Sequence, residues 1–255
     1  MEEMRKFQKT LTMFVLGAFL LMAAGCEAQE VAETPSPVPT DVPTDVPPTV
    51  TPEPGISCAL PLPASEDWEV VLCEDFNDNA HGWQEETQDN PYSAYTSAVA
   101  GGKFVVDYRA KSFAGFTQSA VTWFDVVQER NFVLSITGQI DSPFAESNWG
   151  IAFRGNDESF FLFSLQNDDT YIFEVYEDNR WLPLITRKQT NVINVGEPNT
   201  LRVEAAGGDF YFSINGETVN QFSGAALPGD AIQIVVSAKE GASAVFTFDD
   251  IVIQK

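Results

Sequence analysis

The sequence predicts an all-β domain built from two antiparallel sheets packed face to face, preceded by an export signal and a proline-rich linker. Beyond Trp68, apolar residues alternate with polar or small ones at a period of two, as in Phe210, Phe212 and Ile214. Turn pairs such as Asn215-Gly216 separate these runs, and none of them repeats at the helical period of 3.6. About a dozen short strands with such spacing are typical of a sandwich.

Composition narrows the range of functions. The 255 residues carry 14 Lys and Arg against 37 Asp and Glu, a formal net charge of −23. This excludes nucleic acid as an expected partner, because binding to phosphates needs clustered basic residues. His81 is the only histidine and the three cysteines are scattered, which argues against a metal site made of several His or Cys ligands.

Residues 1–25 have the organisation of a signal peptide. Three basic residues precede an apolar run at 11–24, which is shorter than the roughly 20 residues that span a bilayer. The stretch Met22-Ala23-Ala24-Gly25-Cys26 resembles the lipobox of bacterial lipoproteins. The resemblance implies cleavage before Cys26 and its acylation, hence an exported protein held by lipid on the extracellular or periplasmic face of a membrane. An ordinary cleaved signal is the alternative.

Residues 26–56 are predicted to form an extended linker. Eight prolines fall between Pro35 and Pro54, a density that favours polyproline II at about 3.1 Å per residue. Such a linker would hold the following domain, expected at residues 57–255, away from the membrane. Cys58 and Cys73 at the start of this domain are predicted to form a disulfide, since exported proteins retain such bonds, and two buried thiols are the alternative.

Strands follow in quick succession through the middle of the domain. They are predicted at QSAVTWF, NFVLSITGQI, NWGIAFR, SFFLFSLQ, TYIFEVY and RWLPLI. In the last strand, VFTFDDIVIQ, the apolar phase shifts by one residue between Phe248 and Ile251. This shift predicts a bulge or bend at Asp249-Asp250 that would re-aim a carboxylate.

The order of motifs from Val70 to Lys255 resembles a known superfamily. The motifs are CEDFNDNAHGW, GGKFVVDY, NFVLSITGQI, WGIAFRGNDESFFLFSL, TYIFEVYEDNRWLPL, NTLRVEAAGGDFYFSINGETV and VFTFDDIVI. Together they are similar to the concanavalin A-like (laminin G-like) jelly roll, and to lipid-anchored bacterial proteins whose domain is named a 3-keto-disaccharide hydrolase. The resemblance implies binding of carbohydrates or proteins, or hydrolysis of glycans, and so constrains function only loosely.

Aromatic and polar residues in the central strands form the candidate ligand site. Sugars pack their C–H faces on aromatic rings, while carboxylates, amides and Arg bind their hydroxyls. The candidates are Trp149, Arg154, Tyr171, Tyr176 and Trp181, with Asn156, Asp157, Asp168 and Asn179 in the adjoining loops. Burial of each of these residues in the core is the alternative, and Trp181 is expected to be the most exposed.

A structural calcium ion is a further expectation. Glu74 and Asp75 open the domain, while Asp249 and Asp250 close it. Calcium takes six to eight oxygen ligands, and several carbohydrate-binding members of the superfamily hold this ion where the first and last strands meet. We expect such an ion to stabilise the fold, and the function to require no cofactor.

The sequence contains no recognisable catalytic set. Retaining glycosidases of this fold place their carboxylates on one strand as E-x-D-x-x-E or E-x-D-x-E, and no E-x-D occurs in the chain. Glu174 and Glu177 are three residues apart, which directs them to opposite faces of a strand. His81 lies in a turn-like segment, a poor position for a rigid base.

These observations favour a non-catalytic, surface-displayed module that binds a glycan or another extracellular polymer. One alternative is a glycoside hydrolase or lyase acting on a modified disaccharide, for which paired carboxylates about 5–9 Å apart would be the sign. A second alternative is an adhesion or assembly subunit that recognises protein through a flat apolar patch. The sequence does not indicate the oligomeric state.

Overall fold

The structure is a computed structural model that describes residues 68–255 apart from 113–115, 122–130, 142–146, 157, 167, 228 and 230, with only the backbone given for 116–121. The predicted signal peptide and linker, including Cys26, lie outside the described residues, as do Cys58 and Asp157. Cys73 is half-buried in the first strand. Its predicted disulfide with Cys58 therefore stays a prediction.

The described part of the chain contains fifteen strands and no helix, so none of its segments is a helix long and apolar enough to cross a membrane. The strands are β1 (Val70–Glu74), β2 (Glu86–Asp89), β3 (Ser93–Val99), β4 (Phe104–Ala110), β5 (Phe116–Val121), β6 (Asn131–Ile140), β7 (Ser147–Gly155), β8 (Phe160–Gln166), β9 (Thr170–Glu177), β10 (Arg180–Gln189), β11 (Asn199–Ala206), β12 (Asp209–Ile214), β13 (Glu217–Ser223), β14 (Ala231–Ala238) and β15 (Ser243–Gln254).

These strands form two antiparallel sheets, which confirms the predicted sandwich. The larger sheet has nine strands in the order β13-β12-β11-β6-β15-β4-β3-β2, with β1 added beside the second half of β15. The smaller sheet has six strands in the order β10-β9-β8-β7-β14-β5, so β10 is one of its edges. Both sheets combine strands from distant parts of the sequence, as expected of a jelly roll.

The core lies between the sheets and is rich in phenylalanine. Phe153, Phe163 and Phe173 of the smaller sheet meet Phe210 and Phe212 of the larger one. The rings of Phe173 and Phe212 have centroids 4.5 Å apart, and those of Phe163 and Phe212 are 4.7 Å apart. The apolar residues of the alternating pattern are thus the side chains that face the opposite sheet.

Two local predictions are confirmed. Asn215 and Gly216 form the tight turn between β12 and β13 with φ angles of 51° and 84°, the left-handed conformations that such hairpins require. The pairing of β15 with β6 shifts between Asp249 and Val252, and Asp250 has a φ of 48°. The bulge therefore falls where the apolar phase of the sequence changes.

Candidate functional site

The candidate site lies on the outer face of the six-stranded sheet, the face directed away from the nine-stranded sheet. Cross-strand pairs place Trp181 opposite Tyr176, and Tyr176 opposite Phe160. Two residues further along β9, Glu174 lies between Pro183 and Leu162. Successive rows of this kind are about 7 Å apart along a strand. The face therefore carries an aromatic row and, beside it, a row with one carboxylate.

The aromatic row is a compact three-ring cluster, which we call the aromatic edge (Phe160, Tyr176 and Trp181). The ring centroids of Tyr176 and Trp181 are 5.1 Å apart, and those of Phe160 lie 5.3 and 5.5 Å from Tyr176 and Trp181. Phe160 is buried and supports the other two, whereas Trp181 on the edge strand is 37% exposed. Rings fixed by neighbouring rings offer a ligand a surface that loses little conformational entropy on binding.

A tight turn brings an amide to the aromatic edge. Asp178 and Asn179 connect β9 to β10 with φ angles of 53° and 59°. The hydroxyl of Tyr176 donates a hydrogen bond to Oδ1 of exposed Asn179 at 3.2 Å. The turn thus places an amide, which can both donate and accept hydrogen bonds, beside an exposed indole.

Glu174 supplies the carboxylate of the next row. The side chain is half-buried, and this burial raises its pKa above the ordinary value, while the charge of Arg187 opposes the shift. Within the described part of the chain, no hydrogen bond reaches this carboxylate. Its oxygens can therefore accept hydrogen bonds from water or from a ligand.

The far end of the outer face carries a row of polar side chains that are hydrogen-bonded to one another. Ser237 donates to Asn148 Oδ1 at 2.7 Å, and Asn148 donates to Gln166 Oε1 at 3.4 Å. The guanidinium of Arg187 donates to Gln166 Oε1 and to Asp168 Oδ2, each at 3.2 Å. These groups are satisfied within the protein, which makes them a poorer ligand site than the aromatic edge.

The middle of the outer face is closed to solvent. Ala152, Leu162 and Val235 form a small apolar cluster with Phe160, and all four residues are less than 5% exposed. At the border of the sheet, by contrast, Trp181 and Asn179 are exposed and Glu174 is half-buried. The accessible site is a border of the sheet and not its centre.

The structure separates the five predicted ligand residues into two groups. Tyr176 and Trp181 lie together on the outer face, as described above. Trp149, Arg154 and Tyr171 are 1%, 5% and 4% exposed and point between the sheets, so they cannot form one ligand surface with the other two. Trp149 packs edge-on against Phe248, with centroids 5.5 Å apart, and the Tyr171 hydroxyl donates to the carbonyl of Val219 at 3.0 Å.

Arg154 is buried because β7 bulges at this point. Its φ is 49°, and the pairing of β7 with β14 shifts between the partners of Ala231 and Gln233. The guanidinium carbon lies 4.9 Å from the ring centroid of Phe210 and 5.8 Å from that of Phe132. The charge is thus placed against aromatic rings of the core, where cation–π attraction stabilises it.

A recess lies where the β10–β11 connection crosses one end of the sandwich. Trp149, Gln166, Asn194, Glu197 and Asn199 are among the residues that line it. The amide of Asn199 donates to the carbonyls of Asn194 and Glu197 and accepts from the backbone N–H of Asn194. Its polar atoms therefore hold the connection in place, and the recess is less suited to a ligand than the aromatic edge.

The four carboxylates predicted for calcium have other interactions among the described residues. Glu74 is 3% exposed, and its oxygens accept hydrogen bonds from Phe76 N (2.7 Å), His81 Nδ1 (2.7 Å) and Trp83 Nε1 (2.8 Å). Both oxygens of this carboxylate therefore have hydrogen-bond partners within the β1–β2 connection. In the described ranges, no group of three or more His, Cys, Asp or Glu side chains is arranged to hold a metal ion.

The three remaining carboxylates predicted for calcium have other interactions. Asp75 accepts hydrogen bonds from the backbone and side chain of Asn77. Asp249 lies 3.6 Å from the ammonium of Lys103 and accepts a hydrogen bond from the backbone N–H of Asp250. Burial raises the pKa of Asp250, and the charges of Asp249 and Asp75 raise it further. These residues form an acidic surface near Lys103.

The residues considered as catalytic candidates, Glu174, Glu177 and His81, are also separated. Glu177 pairs with Arg180 beside the turn and points to the opposite side of β9 from Glu174, as the spacing of three predicted. His81 binds Glu74 within the β1–β2 connection. Of the loop residues named with the site, Asn156 accepts hydrogen bonds from the backbone N–H groups of Glu158 and Ser159, while Asp168 binds Arg187.

Phe160 and Glu174 belong to the candidate site, but the sequence did not indicate them as ligand contacts. The sequence does contain a signal for Glu174. Side chains two residues apart on a strand face the same side, so Glu174 was expected to share a face with Tyr176. The outward direction of Phe160 could not be predicted, because the strand within SFFLFSLQ begins with four consecutive apolar residues and shows no alternation there.

Comparison with known proteins shows the fold and no closer relationship. No family model matches the sequence, and no curated protein matches it. A GlcNAcα1-4Gal-releasing endo-β-galactosidase from Clostridium perfringens is similar in structure with a TM-score of 0.54 at 10% identity, over 80% of this chain and 64% of that one. A laminarinase from Flavobacterium sp. UMI-01 gives 0.53 at 12% identity, over 73% of this chain and 100% of that one.

The catalytic domain of an endo-1,3-β-glucanase (laminarinase) from Thermotoga petrophila RKU-1 is similar with a TM-score of 0.52 at 10% identity, over 74% of this chain and 98% of that one. These likenesses support the predicted fold, a jelly-roll sandwich of two antiparallel sheets. At such identities the likeness shows the fold alone, because one fold can hold sites of different function.

Proposed function

We propose that the protein binds a glycan at the aromatic edge. The observation that carries the proposal is the exposed indole of Trp181, fixed by Tyr176 and Phe160 and flanked by the Asn179 amide and the Glu174 carboxylate. An apolar ring surface bordered by a few polar groups suits a sugar, whose C–H faces are apolar and whose rim is hydroxylated.

Binding is favoured over hydrolysis by the placement of the carboxylates. A glycosidase acts with two carboxyl groups about 5–10 Å apart on either side of the scissile bond. On the described part of the outer face, Glu174 is next to Pro183 and Leu162, while Glu177 points the other way. The raised pKa of Glu174 would suit a general acid, so release of reducing sugar is a necessary readout of any binding experiment.

The test is binding of the full chain, purified in mild detergent, to a glycan array, with affinities then measured by titration. We expect Trp181→Ala to weaken binding at least about tenfold, because the ring supplies most of the apolar contact. Tyr211→Ala is the matched control, since Tyr211 is 41% exposed but lies on β12 of the other sheet. A Trp181→Ala variant that binds every glycan as well as the wild type would refute the proposal.

Two other outcomes have defined meanings. Release of reducing sugar that Glu174→Gln abolishes would replace the binding function with the hydrolase alternative. A silent array, together with Trp181-dependent capture of a purified surface protein, would replace it with the adhesion alternative.

We further propose that this binding takes place at a membrane surface. The lipobox-like stretch ending at Cys26 supports acylation, and the proline-rich residues 26–56 would extend the domain away from the lipid. A module displayed in this way would bring the cell surface to a polymeric glycan.

A further inference from the structure

We propose that Glu174 makes the aromatic edge selective for uncharged or amino sugars over sugars that carry carboxylate or sulfate groups. This inference rests on the glycan-binding function proposed above and adds the class of ligand.

Glu174 is positioned to contact whatever stacks on Trp181. It shares the outer face with Tyr176 and lies one row away, about 7 Å along β9. Its neighbour on β10 is Pro183, which is exposed and has no N–H to donate, and its neighbour on β8 is the apolar Leu162. A sugar on Trp181 can therefore extend over Pro183 to this carboxylate.

None of the described residues neutralises this carboxylate by direct contact. Arg187 of β10 is the cation that acts on it electrostatically, but the guanidinium donates its hydrogen bonds to Asp168 and Gln166. The facing residues of β8 are Phe160 and Leu162, and those of β10 are Trp181 and Pro183, none of which is charged. Among the described residues, therefore, none donates a hydrogen bond to Glu174.

An ionised carboxylate accepts hydrogen bonds and cannot donate them. Its complementary ligand groups are hydroxyls, which it can accept in pairs, and ammonium groups. A uronate or sulfate at the same position would bring two negative charges together in a partly desolvated site, where repulsion is stronger than in water. The net charge of −23 on the chain adds to this repulsion at longer range.

The test compares four proteins, each as the full chain in mild detergent, on an array that holds neutral, amino, uronic and sulfated oligosaccharides of similar length. They are the wild type, Trp181→Ala, Glu174→Gln and Glu177→Gln. The last is the matched control, because it removes the same charge from the opposite side of the same strand. Thermal unfolding verifies that each variant is folded.

We expect every ligand that depends on Trp181 to be neutral or an amino sugar. Glu174→Gln should weaken these ligands about ten- to hundredfold, the range for loss of hydrogen bonds to a charged group, and Glu177→Gln should leave them unchanged. Glu174→Asp, which keeps the charge, should still reject uronic and sulfated sugars.

Affinity should also depend on pH in one direction. Because burial raises the pKa of Glu174, wild-type binding should weaken on acidification at a higher pH than an ordinary glutamate would give, as the carboxylate gains its proton. Glu174→Gln should lack this dependence.

The outcomes separate the two proposals. Trp181-dependent binding to uronic or sulfated sugars, or a Glu174→Gln variant that behaves like Glu177→Gln, would overturn the selectivity and leave the binding function intact. An array on which the wild type and Trp181→Ala are equally silent would overturn the binding function itself, and the selectivity with it.

Discussion

Glu74 is a buried carboxylate whose hydrogen bonds organise the connection between β1 and β2. One oxygen accepts a hydrogen bond from the N–H of Phe76, and the other accepts hydrogen bonds from Nδ1 of His81 and Nε1 of Trp83. The rings of Phe76 and Trp83, which this arrangement fixes, pack 5.1 Å apart in the core. The motif CEDFNDNAHGW thus fixes the β1–β2 connection and packs its two aromatic rings into the core.

Replacing Glu74 with Gln should destabilise the fold. An amide has one acceptor oxygen, so at least one buried donor loses its partner, at a cost of about 1–3 kcal/mol in the free energy of unfolding. Denaturant titration measures the loss, and Glu197→Gln, at an exposed loop position, is the control. Equal stability of the two variants would show that the hydrogen bonds to Glu74 are not the organising element.

At the scale of single residues, the sequence predicts types of side chain better than their directions. Trp181 was expected to be the most exposed candidate, and the structure places it at 37% exposure on an edge strand. Arg154 was expected among the ligand residues, but the bulge in β7 turns it, together with Phe153, towards the core ring of Phe210. A left-handed residue within a strand has no reliable signature in a single sequence, so this direction was not predictable.

At the scale of elements, strands with one buried face were the easiest to predict. β11 and β12 alternate cleanly, and the Asn215-Gly216 turn joins β12 to β13 as expected. β2, with the sequence ETQD, has no apolar residue and is exposed over most of its length, so nothing in its pattern indicates a strand. It forms only because β3 offers an edge for it to pair with.

Gly150 shows how closely the strands of the smaller sheet approach one another. A Cβ built at this position would lie 2.4 Å from the carbonyl oxygen of Phe163 and 2.6 Å from Cβ of Ser164. Gly150→Ala should therefore force β7 and β8 apart and lower the free energy of unfolding by about 3 kcal/mol, the upper end for overpacking.

A second glycine provides the comparison for this prediction. Gly216 has a φ of 84° and nothing within 4 Å of a built Cβ, so Gly216→Ala should cost only the conformational strain, about 1 kcal/mol. Chemical denaturation of both variants tests the difference. A Gly150→Ala variant as stable as the wild type would contradict the close approach of the two strands.

At the scale of the whole molecule, the domain presents its candidate site on the edge of a rigid sandwich. The aromatic edge spans β8, β9 and β10, and the first and last strands, β1 and β15, pair with each other in the other sheet. A chain that enters through β1 is therefore attached to a sheet that does not carry the site.

The proposed membrane anchoring also concerns the whole molecule, and it can be tested separately. Cys26→Ala should move the protein from the membrane fraction to the soluble or secreted fraction, because the acyl chains would supply most of the membrane affinity. Immunoblotting of separated fractions measures the shift, and Cys73→Ala serves as the cysteine control. Unchanged membrane association of Cys26→Ala would contradict acylation at this residue.

The central claim is that a glycan occupies the aromatic edge, and hydrogen–deuterium exchange with and without a bound oligosaccharide tests it most directly. The measurement uses the full chain in mild detergent and the strongest ligand from the array. We predict slower exchange in the β9–β10 hairpin around Glu174, Asn179 and Trp181, and no change at the recess formed by the β10–β11 connection. Protection confined to that recess or to the nine-stranded sheet would contradict the claim.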